Sequence, residues 1–201
     1  MAENIKILST EVLSDNFFPL KKIQYEFKKK NGTSEELSRE VYLSSNGVAV
    51  LLYNIENENV VLTKQFRLPT YLNENNTGIL IEACAGLVEE NEDPKHAIIR
   101  EIEEETGYRV TDVKRIFEMY MSPGAVAEMV YFFIAEYKPG QKVNEGGGLD
   151  EENEDIQVIE LPFEEAYYKI QSGEIRDAKT ALLLQYARIY LFKGEKVFDI
   201  L

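Results

Sequence analysis

The sequence contains one cysteine, Cys84, one histidine, His96, and no tryptophan. A single cysteine cannot form a disulfide within the chain, which favours a reducing compartment. A single imidazole, distant in sequence from the thiol, excludes the usual zinc sites. The sequence also shows no serine–histidine pair of the kind that a nucleophilic hydrolase would need. We therefore expect Cys84 to be packed at the end of an apolar strand and His96 to bind no metal.

Long apolar segments are absent as well. The longest apolar runs, "GVAVLL" and "MVYFFIA", are far shorter than the ~20 residues of a membrane-spanning helix. The first residues, "MAENIKILSTEV", lack the apolar core of a secretory signal peptide. These absences predict a soluble, cytoplasmic protein with no membrane partner.

Positive charge is scarce, because 22 lysines and arginines are set against 36 acidic residues and the formal net charge is -14. This excess argues against nucleic acid or an anionic membrane surface as a partner. An anionic ligand can still bind where local cations or a metal ion reverse the field. The hydrophobic content of 44% is that of a globular protein with a substantial core.

Residues 1–45 have the pattern of a small antiparallel β-domain. The segment "KKIQYEFKKK" alternates apolar and polar residues, Asn31-Gly32 is a strong hairpin signal, and "EELSREVYL" predicts the returning strand. A three-stranded unit of this size is marginally stable alone. We therefore expect it to pack on the rest of the chain or on a second subunit.

Residues 46–201 predict a second, larger domain with more strands than helices. The predicted strands are "GVAVLLYN", "NVVLTKQFR", "TGILIEACAG", "DVKRIFEMYM", "EMVYFFIAEY" and "IQVIEL". The predicted closing helices are "PFEEAYYKIQSGE" and "DAKTALLLQYARIYLF". The fold class is therefore α/β (α+β), with helices layered on a mixed sheet.

The segment "GLVEENEDPKHAIIREIEEETGY" predicts a loop followed by a further helix. Asp93 suits the N-cap, Pro94 the first helical position and Gly107 the C-terminal stop, so the helix should span residues 94–106. The isoleucines of this helix fall on one face and should pack against the sheet; they are Ile98, Ile99 and Ile102.

Another face of this helix is crowded with carboxylates. Glu101 and Glu105 lie one turn apart, with Glu104 beside them. Like charges at this spacing destabilise a helix by ~0.2–0.5 kcal/mol per pair. Carboxylates in the last turn also oppose the helix dipole by ~0.3–1 kcal/mol each. A divalent cation such as Mg²⁺ would reverse both terms, whereas a solvated acidic face is the alternative.

The spacing of the segment decides between these alternatives. Seven residues at fixed offsets form the pattern of a Nudix box: Gly86, Glu92, Arg100, Glu101, Glu104, Glu105 and Gly107. By composition such a set should arise in on the order of one window in ten million. Tyr108 departs from the small aliphatic residue usual in the family, but it should still pack as a hydrophobe. The chain thus resembles the Nudix family.

This resemblance implies a Nudix α/β/α sandwich and hydrolysis of a nucleoside diphosphate linked to another group, with Mg²⁺ or its substitute Mn²⁺. Glu101 and Glu105 match the metal-binding and catalytic glutamates of the box. Glu104 matches the neighbouring auxiliary glutamate, and Arg100 the arginine that pairs with box carboxylates. The carbonyl of Ala85 matches a further metal ligand.

Segments outside the box extend the resemblance over nearly the whole chain. Among them, "LSDNFF", the Gly-Gly-Gly loop and "GEIRD" are similar to the bacterial GDP-mannose pyrophosphatases, a group related to the ADP-ribose pyrophosphatases. The resemblance implies cleavage of GDP-mannose into GMP and mannose 1-phosphate. It also implies a homodimer that exchanges its N-terminal β-domains. The alternatives are an ADP-ribose pyrophosphatase, which forms AMP and ribose 5-phosphate, and a non-catalytic nucleotide-binding Nudix protein.

The same resemblance assigns substrate-binding residues. Arg67, at the end of the strand "KQFR", matches an arginine on the pyrophosphate, and its guanidinium fork suits phosphate oxygens. Lys179 matches a substrate-binding lysine, and Arg39 with Glu40 matches residues that contact the sugar nucleotide across the dimer. A solvated surface charge is the alternative for Arg67 and for Lys179, and an edge-strand charge pair is the alternative for Arg39 with Glu40. The remaining substrate-binding positions are Phe17, Ser38, Ala85, Gly86, Leu87, Glu128 and Asn153.

The acidic loop at residues 150–155 supplies the last expected site residue. In the family one glutamate of this loop completes the metal site or acts as the base, and alignment through "EDI" selects Glu154. The loop is longer than is usual in the family. Glu151 and Glu152 are therefore alternatives for this role.

Overall fold

The computed structural model describes residues 4–149, 151 and 154–192. The chain divides into two compact units. One unit comprises Met1–Asn46 and Met119–Val130, and the other comprises Gly47–Glu118 and Tyr131–Leu201. The first unit thus includes a segment that lies beyond residues 1–45, and the predicted domain limits stay a prediction.

The first unit is an antiparallel sheet of three strands in the order β1-β2-β3. Its strands are β1 (Ile5–Asp15), β2 (Pro19–Lys28) and β3 (Ser34–Tyr42). The predicted hairpin at Asn31-Gly32 is present, closed by a hydrogen bond of 2.8 Å from Lys29 N–H to the Thr33 carbonyl. Several apolar side chains of β1 are exposed, namely Ile5, Ile7, Leu8, Val12 and Leu13.

The second unit contains the large mixed sheet that the sequence predicts. Its strands are β4 (Gly47–Asn54), β5 (Asn59–Phe66), β6 (Ile79–Glu82), β7 (Cys84–Leu87), β8 (Lys114–Met119), β9 (Val130–Glu136) and β10 (Gln157–Pro162). The main order is β10-β5-β4-β9-β8, with β6 paired to β5 and β7 paired to β4. The last residue of β8, Met119, and the first residue of β9, Val130, are assigned to the first unit.

One predicted strand, "TGILIEACAG", is two short strands in the structure. Ala83 separates β6 from β7, and its N–H donates to the hydroxyl of Thr180 at 2.7 Å instead of to a neighbouring strand. The chain passes at this residue from pairing with β5 to pairing with β4. The alternation of apolar and polar side chains does not depend on a hydrogen bond to a distant residue, so it could not predict the break between β6 and β7.

Four α-helices accompany this sheet within the described residues. They are the single turn α1 (Leu68–Tyr71), α2 (Pro94–Glu101), α3 (Phe163–Ser172) and α4 (Ala178–Tyr190). Neither α1 nor the change of helix type after α2 was predicted. A π-helical turn, Ile102–Thr106, continues α2 to the predicted end of the helix. None of the helices in residues 4–149 and 154–192 is long and apolar enough to cross a membrane.

Burial along β4 shows that helices cover both faces of the sheet. Val48 and Val50 share a hydrophobic cluster with Ile98 and Ile102 of the α2 segment. Because side chains of a strand alternate, the equally buried Leu51, which follows Val50, faces the opposite side, where α4 contacts β4. The predicted α/β/α sandwich is therefore confirmed, as is the packing of the isoleucine face.

Candidate active site

Local sequence signals position the start and end of the α2 segment. The side chain of Asp93 accepts a hydrogen bond of 2.7 Å from the N–H of Lys95, and Pro94 is the first helical residue. Gly107 ends the segment with a positive φ of 75°. The hydroxyl of Thr106 donates to the carbonyl of Ile102 at 2.5 Å. This bond lies within the π turn, a form often found at functional sites.

The carboxylate ridge, which we define as Glu101, Glu104 and Glu105, is partly buried. Glu105 is only 2% exposed, and its Oε2 accepts a hydrogen bond of 3.2 Å from the N–H of Ala85 in β7. The thiol of Cys84 contacts the same carboxylate. Cys84 is packed, as predicted, but it lies directly beside the ridge.

Glu101 and Glu105 of the ridge resist ionisation. Burial raises the pKa of Glu105 to about 8, opposed by its contact with Cys84 and reinforced by the charges of Glu101 and Glu154. Burial also raises the pKa of Glu101 to about 7, with Arg100 acting against this shift. Two carboxyl groups in one low-dielectric position require a cation if both are to be ionised at neutral pH.

Arg100 supplies positive charge to only part of the ridge. Its Nη1 donates to Glu101 at 3.0 Å and to Glu104 at 2.9 Å, while its Nε and Nη2 contact Glu92 at 3.4 and 3.3 Å. Nη2 also donates to the carbonyl of Leu87 at 3.3 Å. Burial alone would lower the pKa of Arg100, but these carboxylates raise it above its ordinary value. Arg100 therefore ties the loop before α2 to the ridge.

We expect Arg100→Ala to lower the free energy of unfolding by about 2 kcal/mol, because it leaves partly buried carboxylates without their charged partner. Urea denaturation in the presence of EDTA measures this loss. Arg109→Ala is the matched control, since Arg109 pairs with Glu103 at an exposed position of the same helix end. A loss for Arg100→Ala no larger than that of the control would contradict the role of Arg100.

Gly86 gives Glu101 the space that it occupies. A Cβ atom at this position would lie 2.0 Å from the carboxyl carbon of Glu101 and 2.0 Å from its Oε1. Real Cβ atoms do not approach other atoms so closely, so any side chain at residue 86 would displace the carboxylate. The Glu101 carboxylate therefore requires glycine at position 86 of the box.

A glycine loop, residues 146–148, contacts the backbone of the ridge. The N–H groups of Gly147 and Gly148 donate to the carbonyls of Glu105 and Glu104 at 2.9 and 3.1 Å. All three glycines have positive φ, which other residues rarely adopt. The half-buried Glu154 accepts a hydrogen bond of 3.1 Å from the N–H of Leu149.

The observations favour Glu154 over Glu151 as the loop carboxylate. Its charge raises the pKa of both Glu101 and Glu105, so it lies close to the ridge. Glu151 is exposed, while Glu152 lies outside the described residues. The assignment remains a prediction.

The ridge fits a divalent cation by its donor set. Oxygen ligands suit Mg²⁺, and among the described residues no lysine or arginine forms an ion pair with the buried Glu105. The N–H of Ala85 donates to Glu105, and the N–H and C=O of a strand residue point to the same side, so its carbonyl lies on the same edge of β7. No group of three or more His, Cys, Asp or Glu side chains is preassembled for a metal in residues 4–149 and 154–192. The fit therefore rests on Glu101, Glu105 and the Ala85 backbone.

In the absence of metal, the raised pKa values of Glu101 and Glu105 should make stability fall with pH. Both groups have folded-state pKa values above the ordinary value of 4.5, so the folded protein binds more protons than the unfolded chain between about pH 4.5 and 8. Their stabilising contribution is complete below about pH 4.5 and is lost as the pH rises through about 8. Urea denaturation in EDTA across this range should show a steeper fall for the wild-type protein than for Glu105→Gln, and parallel curves would contradict the burial of an unpaired carboxylate.

A second cluster of charges brings together two predicted residues that are far apart in the sequence. Arg67 and Lys179, which we call the cation pair, both lie on the carboxylate of Glu82 in β6. Arg67 Nε donates to Glu82 Oε2 at 2.8 Å, and Lys179 Nζ lies 3.6 Å from Oε1. Lys179 also donates to Asp177, the N-cap of α4, at 2.6 Å. Sequence reasoning missed Glu82 and Asp177, although an acidic residue inside the apolar run "ILIEACAG" was a usable signal.

The other predicted substrate residues lie in different parts of the structure. Phe17 is 82% exposed in the turn after β1. Ser38, Arg39 and Glu40 are exposed on β3, and the half-buried Glu128 belongs to the same unit. Leu87 ends β7 beside Gly86, whereas Asn153 lies outside the described residues. The substrate-binding roles of all these residues remain predictions.

One prediction about packing can be assessed directly. Tyr108 is buried, and its ring lies 4.7 Å from that of Tyr137, so the unusual residue packs as a hydrophobe, as expected. His96 is exposed on α2, and the expectation that it binds no metal stays a prediction.

Comparison with known families gives two matches that together span most of the chain. The model of the NUDIX domain matches residues 44–184. The model of the GDP-mannose pyrophosphatase NudK N-terminal domain matches residues 4–42.

Comparison with individual proteins gives relatives of similar length. The chain is 50% identical over 186 residues to a GDP-mannose pyrophosphatase of Citrobacter koseri, covering 92% of this chain and 96% of the relative. It is 51% identical over 189 residues to one of Enterobacter sp., covering 94% and 97%. It is 50% identical over 186 residues to one of Escherichia coli K12, covering 92% and 96%.

Among solved structures, the fold is similar to one described as "Crystal structure of ADP compounds hydrolase", with a TM-score of 0.71 and 19% identity, over 96% of this chain and 97% of the other. At this identity the likeness concerns the fold alone. The family matches and the close relatives confirm the resemblance seen in the box. The chain belongs to the Nudix family of hydrolases, whose members generally use divalent metal ions.

Proposed function

We propose that this Nudix hydrolase cleaves the pyrophosphate bond of GDP-mannose to GMP and mannose 1-phosphate, with Mg²⁺ as its metal and Mn²⁺ as a substitute. The observation that carries the proposal is about half identity to GDP-mannose pyrophosphatases over more than nine-tenths of the chain. The N-terminal match to the corresponding domain of that group supports the same substrate. The single cysteine and the apolar pattern support a cytoplasmic location.

Four groups would hold the metal: the carboxylates of Glu101, Glu105 and Glu154, and the carbonyl of Ala85. When bound, the metal supplies charge stabilisation on phosphate oxygens and lowers the pKa of a coordinated water. Arg100 orients Glu101 through the ion pair at 3.0 Å. Gly86 leaves room for that carboxylate next to β7.

Substrate binding and proton transfer are assigned to Arg67, Lys179 and Glu154 of the second unit. Arg67 and Lys179 bind pyrophosphate oxygens and offset the negative charge that develops there. A water oxygen bonds to one phosphorus, and the bridging oxygen leaves with the other phosphate. Glu154 accepts the proton of the attacking water at a carboxylate oxygen. The products each carry one phosphate, and the water supplies the added oxygen and two protons.

We also propose a homodimer in which residues of the first unit serve the substrate site of a second copy. These residues are Phe17, Ser38, Arg39, Glu40 and Glu128. The exposed apolar side chains of β1 support a buried role for this surface in an assembly. Sedimentation equilibrium should give twice the chain mass of 23.1 kDa, and a monomer at micromolar concentration would contradict this arrangement.

The substrate is tested by incubating the protein with Mg²⁺ and a panel of nucleotide sugars that includes GDP-mannose and ADP-ribose, followed by chromatography of the products. We expect the highest kcat/KM for GDP-mannose, with GMP and mannose 1-phosphate released in equal amounts. A preference for ADP-ribose, with release of AMP and ribose 5-phosphate, would replace the proposed substrate. Binding of either compound without cleavage would indicate a nucleotide-binding protein instead.

A further inference from the structure

Glu82 is a buried carboxylate whose two oxygens lie on two different cations. Its side chain is 5% exposed, and it is held on β6 between the end of β5 and the start of α4. A buried carboxylate requires charged or hydrogen-bonding partners. Here the partners are Arg67, at 2.8 Å from one oxygen, and Lys179, at 3.6 Å from the other.

The contact with Arg67 uses only one edge of the guanidinium. Nε donates to Glu82, and among the described residues no acceptor is hydrogen-bonded to Nη1 or Nη2 of Arg67. The side chain is 39% exposed, so these two nitrogens are open to a ligand. A guanidinium whose Nε is fixed presents its remaining N–H groups in a defined direction, which suits the oxygens of a phosphate.

Lys179 is held from two sides. Its Nζ donates to Asp177 at 2.6 Å and lies near Glu82, while the other oxygen of Asp177 accepts from the N–H and hydroxyl of Thr180 at 2.8 and 2.7 Å. Burial alone would raise the pKa of Asp177, but Lys179 and Thr180 hold it below its ordinary value. Both carboxylate oxygens of Asp177 therefore contact residues of α4, and Glu82 is the group that links Lys179 to Arg67.

This cluster lies close in sequence to Ala85, whose carbonyl is a proposed metal ligand. Glu82 precedes Ala85 by three residues, which corresponds to roughly 10 Å of extended chain. Both residues belong to the second unit. Without Glu82 the two cations would repel each other, and the exposed arginine would be free to rotate away.

We propose that Glu82 is a positioning residue that aligns Arg67 and Lys179 so that both bind one pyrophosphate group. The inference rests on the proposed function for the identity of the nucleotide sugar, but it concerns the pyrophosphate alone. Glu82 does not touch the substrate. Its carboxylate fixes the direction of the guanidinium and keeps the ammonium beside it.

A purely structural role for Glu82 would have a different signature. If Glu82 only clamped β6 to α4, its replacement would weaken binding equally whether or not the cation pair is present. If it acts through the cation pair, the effect must disappear once Arg67 and Lys179 are removed. A mutant cycle separates these cases.

The test is the affinity for inorganic pyrophosphate, measured by calorimetry with saturating Mg²⁺ on the full chain. We expect Glu82→Gln to weaken binding by about 10-fold, because an amide cannot hold two cations in register. In the Arg67→Ala/Lys179→Ala background the same substitution should change affinity by less than about twofold. Glu164→Gln is the matched control, because it removes the exposed carboxylate that pairs with Arg188 at 2.7 Å, far along the sequence from the cluster.

Equal losses in both backgrounds, or no loss in the wild-type background, would overturn the positioning role. Failure of the wild-type protein to bind pyrophosphate would overturn the anion site itself. The melting temperature of each variant shows whether a loss of binding reflects unfolding. If GDP-mannose is not cleaved while the cycle gives the expected coupling, the proposed function fails and the positioning role stands.

Discussion

Replacing Glu105 with glutamine is expected to lower kcat for the nucleotide sugar by at least about 1,000-fold in saturating Mg²⁺. A bound metal contributes several kcal/mol of charge stabilisation in a phosphoryl transfer, and about 1.4 kcal/mol corresponds to a tenfold change in rate. Glutamine keeps the shape of the side chain and can still accept the hydrogen bond of the Ala85 N–H, which is 3.2 Å from Glu105. It removes the charge that a cation requires.

The same substitution should not destabilise the metal-free protein. Because burial raises the pKa of Glu105 to about 8, a neutral amide avoids the unfavourable ionisation of a buried group above neutral pH. Steady-state kinetics and urea denaturation in EDTA together measure the two effects. Glu103→Gln is the control, since Glu103 lies in the same π turn but pairs with Arg109 at the surface. An active Glu105→Gln protein, or an inactive Glu103→Gln protein, would contradict the assigned role.

Replacing Gly86 with alanine is expected to lower kcat by about 100-fold with little change in stability. The added Cβ would lie 2.0 Å from the carboxyl carbon of Glu101. Because the obstructed atoms are the end of a flexible side chain, the carboxylate can move away without unfolding the strand. A displacement of ~1 Å at a catalytic group typically lowers the rate about 100-fold.

The control for Gly86→Ala is Gly140→Ala, because a Cβ at residue 140 meets no atom within 4 Å. Both variants should melt at nearly the wild-type temperature in EDTA. Stabilisation of the protein by added Mg²⁺ should be reduced for Gly86→Ala and unchanged for Gly140→Ala. Wild-type activity of Gly86→Ala would show that the contact between Gly86 and Glu101 does not constrain the ridge.

Local signals explain why much of this fold could be predicted. Asp93, Pro94 and Gly107 act on the backbone of their own or immediately neighbouring residues, so the limits of the helical segment were readable from the chain. Strand alternation and the Asn31-Gly32 turn are equally local. The fixed spacing of the box identified the family, which the family matches confirm.

Features that depend on contacts between distant segments were not predictable. The break at Ala83 accompanies a hydrogen bond to Thr180, 97 residues away. The contacts of Glu82 with Arg67 and Lys179 form only in the folded chain, so the sequence did not indicate them. The resemblance named the two cations one by one, but not the carboxylate that joins them.

The central claim is that Glu101 and Glu105 are buried together in order to bind a divalent cation. Calorimetric titration of the metal-free protein with Mg²⁺, in buffers of different ionisation enthalpy, counts the protons that binding releases. Since the pKa values of these groups are about 7 and about 8, binding near about pH 6.5 should release roughly one to two protons, and binding near about pH 9.5 almost none. Binding of Mg²⁺ without proton release at the lower pH, or no binding at either pH, would contradict the claim.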